Sequence, residues 1–260
     1  MKNYKNILFG VEENVATLTL NKPETLNALT IDMMYEVQDA LAFIENDKNV
    51  RALVFTGAGR GFCSGQDLRS RIASGANFVE ELMDCYFRAF NGIRTCRVPV
   101  VTAINGVAAG GGFSLALMGD ILIAARSAKF IQVFSRIGLV PDLGSTYLLP
   151  KAIGRANALK LMMSNEPLSA EEAVEMRLIS ESVDDADLQS KAQEIAKKLS
   201  VGPTHALMMT RSLVDEVDDK AFEKQFRREL ETQSQMRDKP DGIEGVAAFV
   251  EKRATQFIGQ

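Results

Sequence analysis

Apolar positions along the first half of the chain follow two different periods. Val15-Ala-Thr-Leu-Thr-Leu20 alternates apolar with small or polar residues, the period-two mark of a half-buried strand, and Asn21-Lys-Pro-Glu24 breaks it. Met34, Val37, Leu41 and Ile44 recur at helical spacing and mark one face of a helix beginning near Thr30. Val50 to Thr56 is a buried strand, ended by Gly57-Ala-Gly59. Phe78, Leu82, Tyr86, Ala89 and Ile93 predict a helix over residues 77–93. Pro99 to Ile104 is strand-like again, and a glycine-rich turn leads from it to a helix-like run, Phe113 to Met118. Strands are expected at Ile121–Ala125 and Phe130–Phe134, and from Arg155 onward the pattern is almost entirely helical. There, Ser169-Ala-Glu-Glu172 has the form of a capping box. Pro203 suits a first helical position, and Pro240-Asp-Gly242 separates the last two helices. The fold class is therefore α/β, with strand–strand–helix units recurring before a helical tail.

Composition narrows the classes of function. A 260-residue chain with 46% hydrophobic residues can bury a substantial core. A net charge of −4 gives no reason to expect a nucleic-acid partner. No apolar run approaches ~18 residues, so no membrane-spanning helix is expected. Cys63, Cys85 and Cys96 form no C-x-x-C pair and read as reduced thiols; with no leader-like N-terminus, the expected location is cytoplasmic. The only histidine, His205, lies in the helical tail, which rules out multi-histidine metal sites and weakens any Ser-His-Asp reading. No metal is expected.

Three turns follow strands and carry glycine: Gly61-Phe-Cys-Ser-Gly65-Gln66-Asp67-Leu68, Asn105-Gly-Val-Ala-Ala-Gly110-Gly111-Gly112, and Gly138-Leu-Val-Pro-Asp142-Leu-Gly-Ser-Thr146. The first two can offer backbone N–H groups near Gln66 and Gly111, and two N–H groups converging on one oxygen make an oxyanion hole. A close-packing turn is the alternative for the glycine triplet. The third supplies Asp142 among Leu139, Val140, Pro141 and Leu143, where desolvation would raise its pKa toward that of a proton shuttle. An N-cap role for the following helix is the competing reading.

These three motifs, with Asp120 after the second and Asn21-Lys-Pro-Glu-Thr-Leu-Asn-Ala-Leu29 near the start, resemble the enoyl-CoA hydratase/isomerase (crotonase) superfamily over nearly the whole chain. The resemblance implies a crotonase-like spiral of ββα repeats carrying the acyl-CoA site over residues 1–195. It implies a helical region over 196–260 that trimerises the protein and helps cover the site, giving a homotrimer or a dimer of trimers. The substrate would be an acyl-CoA thioester, with coenzyme A part of the substrate and no separate cofactor. Gln66 and Gly111 would be the oxyanion donors, Gln66 through its backbone.

The sequence departs from the hydratase pattern. Hydratases of this family hold water between two glutamates; this chain has Ser114 and Phe134 in their places. The remaining acid, Asp142, falls where some double-bond isomerases of the family carry a catalytic aspartate. The run from Gly138 to Pro150 resembles the branch that holds ring-opening isomerases of phenylacetate breakdown and Δ3,Δ2-enoyl-CoA isomerases. A dehalogenase reading would also need a histidine and a tryptophan near the site, and the chain has no tryptophan. Hydration, dehalogenation and a non-catalytic CoA-binding role are the alternatives. The resemblance extends the substrate-contacting set to Lys22, Asn27, Ser64, Asp67, Leu68, Gly110, Ser114, Phe134, Phe249 and Lys252. A solvated loop is the alternative for Lys22 and Asn27, and an amphipathic packing helix for Phe249, Lys252 and Phe257. Tyr86, Phe87 and Phe90 fit either the acyl pocket or the core, and Cys63 fits packing.

Overall fold

The computed structural model describes residues 3–68, 78–215 and 219–258. β1 (Ile7–Glu12) and β2 (Val15–Leu20) form an antiparallel hairpin whose turn residues, Glu13 and Asn14, both have positive φ. α1 (Ile31–Asn46) begins where Thr30 accepts from the Met33 N–H, and it buries Met33, Met34, Val37, Ala40, Leu41 and Ile44. The chain then repeats one unit. β3 (Ala52–Gly57) and β4 (Gly61–Cys63) lead to α2 (Phe78–Leu82), which continues through a π-helical turn, Met83–Phe87, into α3 (Arg88–Arg94). Residue 77, the start of the helix expected there, lies outside the described residues. β5 (Val100–Ile104) and β6 (Val107–Ala109) lead to α4 (Gly111–Ala116). β7 (Ile121–Ala125) and β8 (Lys129–Ile131) lead through a 3-10 turn, Val133–Ile137, to α5 (Ser145–Ser164), which is broken at Gly154.

The first strand of each unit enters a six-stranded sheet, ordered β1-β2-β3-β5-β7 and ending on β10 (Glu181–Val183). The second strand enters a four-stranded sheet, β4-β6-β8, closed by β9 (Leu168–Ser169). Stepping from one sheet to the other in every unit produces a spiral of ββα turns. β4, β6 and β8 are parallel, so their C-terminal ends open on the same side. Loops at the carboxyl ends of parallel strands are where α/β folds place their ligands.

α6 (Ala170–Glu175) starts from the expected capping box of Ser169 and Glu172. α7 (Leu188–Ser200) lies on the larger sheet, burying Leu188, Ala192 and Ala196 against Val15, Val54, Val101 and Ile123. α8 (Thr204–Asp215), α9 (Asp219–Arg237) and α10 (Pro240–Glu251) complete the described chain. No helix among the described residues is long and apolar enough to cross a membrane.

Four expectations need correction. The strand expected at Phe130–Phe134 stops at Ile131, because the backbone turns into the 3-10 segment that carries Phe134. The tail after Arg155 contains β9 and β10, two short strands set by pairing with β8 and β7 rather than by local pattern. Pro203 precedes α8 rather than opening it. A division at 195/196 cuts α7 in the middle, although that helix is packed on the sheet throughout its length.

Candidate active site

The first turn leaves β4 through Gly65, whose φ of +94° is readily adopted only by glycine. Leu29 then pairs with the segment as a short parallel bridge. Its N–H donates to Gly65 O at 2.8 Å, and its carbonyl accepts from Asp67 N at 2.9 Å. Alternate residues of an extended chain aim their amides to opposite sides, so the Gln66 N–H between these bonds points away from Leu29. It has no backbone partner among the described residues.

The second turn ends β6. The Gly110 N–H closes the ladder by donating to Ile131 O at 2.9 Å. Gly110 itself sits at φ +52°, ψ −125°, and from there α4 begins. The N–H of Gly111, first residue of the helix, has no partner within the helix. A Cβ on Gly111 would stand 3.8 Å from Gln66 N, and one on Gly65 would stand 3.3 Å from Gly111 N, so the two turns are in contact. Gly112 has a different reason: a Cβ there would come within 2.2 Å of Cys63 O. The triplet thus serves both readings, Gly111 open to the cavity and Gly112 packed on β4.

The third turn places Asp142 at 3% exposure on the same cavity. Leu143 (φ +55°) and Gly144 (φ +86°) are consecutive left-handed residues that reverse the chain immediately after it. The cap of α5 is Gly144, with no side-chain capping bond, so Asp142 is not an N-cap. Burial pushes its carboxyl up to about 7, against the pull of the Gln233 amide and the more distant Arg237.

The cavity, about 410 Å³, is bounded by Gly65, Gln66, Gly110, Gly111 and Asp142 on its polar side. Leu68, Val133, Phe134, Ile137 and Leu139 form apolar walls, and Phe249 from α10 stands at 57% exposure on its margin. Ser64 lines it too, with its hydroxyl donating to Thr25 O at 2.9 Å. Among the described residues, Asp142 is the only carboxylate lining this space.

Other expected contacts lie elsewhere. Asn27 is fully buried. Its Oδ1 accepts from Lys22 N, and its Nδ2 donates to the carbonyls of Ala58, Gly61 and Phe62 at 2.8–3.1 Å. It ties the 21–29 loop to β4 and has no face left for a ligand. Lys22 precedes a 3-10 turn, Pro23–Thr25, and neither it nor Asp67 lines the cavity. Lys252 is exposed at the C-cap of α10, outside the cavity. Ser114 is buried beneath the third turn, where its hydroxyl donates to the backbone carbonyl of Asp142 at 2.9 Å. Tyr86 and Phe90 are core residues, Tyr86 donating to Leu29 O at 3.2 Å. Phe87 and Phe90 pack on Phe226. Cys63 is fully buried and its thiol is pushed up to about 12, which leaves it no nucleophilic character. His205 is exposed on α8.

Sequence reasoning expected helix here and missed that α9 meets the site. Gln225, Glu229 and Gln233 stand four residues apart on one helix face, a stripe that reads as solvated. In the fold they meet the third turn. Glu229 Oε2 accepts from Gly144 N at 2.6 Å, and Oε1 accepts from Thr146 N at 2.9 Å and from the Thr146 hydroxyl. Gln225 donates to Thr146 Oγ1 at 2.6 Å, and Gln233 donates to Asp142 Oδ2 at 3.0 Å. Burial pushes the Glu229 carboxyl up to about 8 despite these donors, with Asp142 adding to the rise.

A two-sheet ββα spiral, with two glycine turns and a buried carboxylate lining one cavity, defines the chain as a protein of the crotonase fold. It belongs to the enoyl-CoA hydratase/isomerase family, whose model matches residues 10–260. It is 42% identical to a 1,2-epoxyphenylacetyl-CoA isomerase of Escherichia coli over 258 residues, 98% of each chain. It is 39% identical to a probable enoyl-CoA hydratase of Rhodobacter capsulatus, over 99% of this chain and 100% of that one. The crystal structure of an enoyl-CoA hydratase/isomerase from Pseudoalteromonas atlantica superposes with a TM-score of 0.88 at 31% identity, covering 97% of this chain and 100% of that one.

Proposed function

We propose that the chain is an acyl-CoA isomerase in which Asp142 carries a proton between two carbons of a thioester held by the Gln66 and Gly111 amides. The observation that carries this reading is that, among the described residues, Asp142 is the single carboxylate lining the cavity. Hydration in this family's pattern uses two, and Ser114 and Phe134 supply neither. A carboxyl near pKa 7 is suited to both taking and returning a proton at neutral pH.

In a 3-enoyl thioester, Asp142 removes a proton from C2, and the electron pair spreads over a dienolate whose oxygen accepts from Gln66 N–H and Gly111 N–H. Each such donor contributes about 3–4 kcal/mol to the transition state in enzymes where one has been removed. The electrons then return through C2=C3 to C4, which takes the proton back from Asp142. No water and no net charge enters the product. The dry wall of Phe134, Val133, Ile137 and Leu139 fits this. The same base and amide pair suit an aromatic ring-epoxide thioester opening to an oxepin, and the Escherichia coli relative carries an isomerase name of that type. Coenzyme A is part of the substrate in this proposal, and no other cofactor is required. The exposed Met209, Leu213 and Val214 on α8 suit the burial that a homotrimer or a dimer of trimers would provide.

A second reading, hydration, follows from the name of the Rhodobacter relative. One assay separates them: 3-enoyl-CoA, crotonyl-CoA and aromatic acyl-CoA substrates are offered to wild type and to Asp142→Asn. Isomerisation by wild type, lost in the variant while acyl-CoA still binds, supports the proposal. Rapid loss of the conjugated-thioester absorbance of crotonyl-CoA, or near-normal isomerisation by the variant, overturns it.

A further inference from the structure

Asp142 has two carboxyl oxygens, and a proton shuttle works cleanly only if one of them faces the substrate and the other is held. The partner that holds one lies 91 residues away. Gln233 Nε2 donates to Asp142 Oδ2 at 3.0 Å, and Gln233 Oε1 accepts from the Val140 N–H at 3.3 Å. A backbone N–H can only donate. The amide of Gln233 must therefore present its oxygen to Val140 and its NH₂ to Asp142. An NH₂ in turn demands a bare acceptor, so the proton of a neutral Asp142 is kept off Oδ2.

Gln233 is itself buried, at 3% exposure, and lines the cavity. Its rotamer is set by the docking of α9 on the same turn, through Glu229 to Gly144 and Thr146 and through Gln225 to Thr146. Val140 and Asp142 are clamped together by one side chain, and the turn between them is held from the helix side.

We propose, on the isomerase reading above, that Gln233 is a positioning residue which fixes Oδ1 of Asp142 as the oxygen that takes and returns the proton. Its amide also favours the ionised form of Asp142, because a hydrogen bond to a carboxylate stabilises the charge. The other titratable and charged groups around Asp142 are Glu229 and Arg237 on α9, Tyr86 on the π-helical turn, and Arg136 on the 3-10 segment. Glu229 accepts from the turn amides, and Arg136 donates to Asn165 O at 2.7 Å. The side chain hydrogen-bonded to the Asp142 carboxylate is that of Gln233, with the backbone N–H of Asp142 as a further donor.

The test is the pH profile of kcat/KM for a 3-enoyl-CoA, measured on wild type, Gln233→Leu and Gln233→Glu, with Asp142→Asn as reference. In wild type the profile rises as Asp142 ionises. Gln233→Leu removes the donor, so the rising limb moves to higher pH, by about one unit for the loss of a single hydrogen bond to a buried carboxylate. Gln233→Glu keeps the volume and reach but makes the pair share a proton, and moves the limb the same way. A merely structural role would lower the plateau and leave the limb in place. If either folded variant keeps the wild-type limb while Asp142→Asn is dead, the positioning role is overturned and the isomerase reading stands. If Asp142→Asn turns over normally, both fall. Should Gln233→Leu not fold, Gln233→Glu decides alone, and carboxyl ¹³C titration of Asp142 in wild type and that variant gives the same shift without turnover.

Discussion

The hydroxyl of Ser114 donates to the backbone carbonyl of Asp142 at 2.9 Å, across 28 residues of sequence. A residue in the first glutamate position of the hydratase pattern here supports the turn that carries the remaining acid. Ser114→Ala leaves that carbonyl with the Ser145 N–H alone, at 3.1 Å, and should cost about 0.5–1.5 kcal/mol of stability. Ser114→Glu should not create a hydratase, because position 114 lies beneath the turn rather than on the cavity. Thermal melts check the first outcome, and crotonyl-CoA absorbance checks the second. Fast hydration by Ser114→Glu would contradict the placement.

On the isomerase proposal the ionised form of Asp142 is the base, and its carboxyl is pushed up to about 7. Isomerisation should therefore rise with pH through the neutral range and level off above it. Stopped-flow or coupled assays between about pH 5.5 and 9 measure this. A flat profile, with turnover still limited by the chemical step, would count against Asp142 as the base.

Two neighbouring glycines should respond differently to a methyl group. At Gly112 the added Cβ meets backbone, Cys63 O at 2.2 Å. Gly112→Ala should lose about 1–3 kcal/mol or fail to fold, as overpacked cores do. At Gly111 it meets the tip of Leu143 at 2.8 Å, a side chain that can move. Gly111→Ala keeps the N–H and should fold, and on the isomerase proposal turnover should fall by less than the ~10²-fold cost of losing one oxyanion donor. Melting temperature and kcat, measured on both variants, separate packing from chemistry.

Asn27 was a candidate ligand contact and is a buried strut. Asn27→Ala leaves the carbonyls of Ala58, Gly61 and Phe62 without this donor and should destabilise by about 2–3 kcal/mol. The KM for acyl-CoA should stay near wild type at temperatures where the variant is folded. A raised KM with unchanged stability would restore it to the binding surface.

Asp142 and Glu229 both have folded-state pKa values above those of free carboxyl groups. The folded protein binds their protons more tightly than the unfolded chain, so the stability they contribute is fully present below about pH 4. It is lost as pH rises through about 7 for Asp142 and about 8 for Glu229. The melting temperature, corrected for the surface ion pairs by an Asp142→Asn, Glu229→Gln control, should fall between about pH 5.5 and 8.5, and the control should be flatter. Parallel curves would mean that neither acid is perturbed.

Much of this protein is legible in the order of its residues. Alternation at 15–20, the helical stripe from Met34 to Ile44 and the capping box at 169–172 are local physics, and the structure follows them. The glycine turns at 65 and 110 are equally local, since a positive φ is written in the residue itself. The motifs around them also carry the family, and the resemblance puts Ser114 and Phe134 where hydratases would have carboxylates. Sequence could not say whether Asp142 caps its helix or faces a cavity. That depended on Leu143 and Gly144 turning left-handed and on Ser114 and Gln233 gripping the turn from two other elements. Asn27 reads the same on a solvated loop as in a buried one, and the polar stripe of α9 reads as a surface. Only packing against the third turn makes Glu229 and Gln233 interior residues and half-buries Gln225, because burial and hydrogen-bond pairing over some 80–90 residues are properties of the fold and leave no mark on local periodicity.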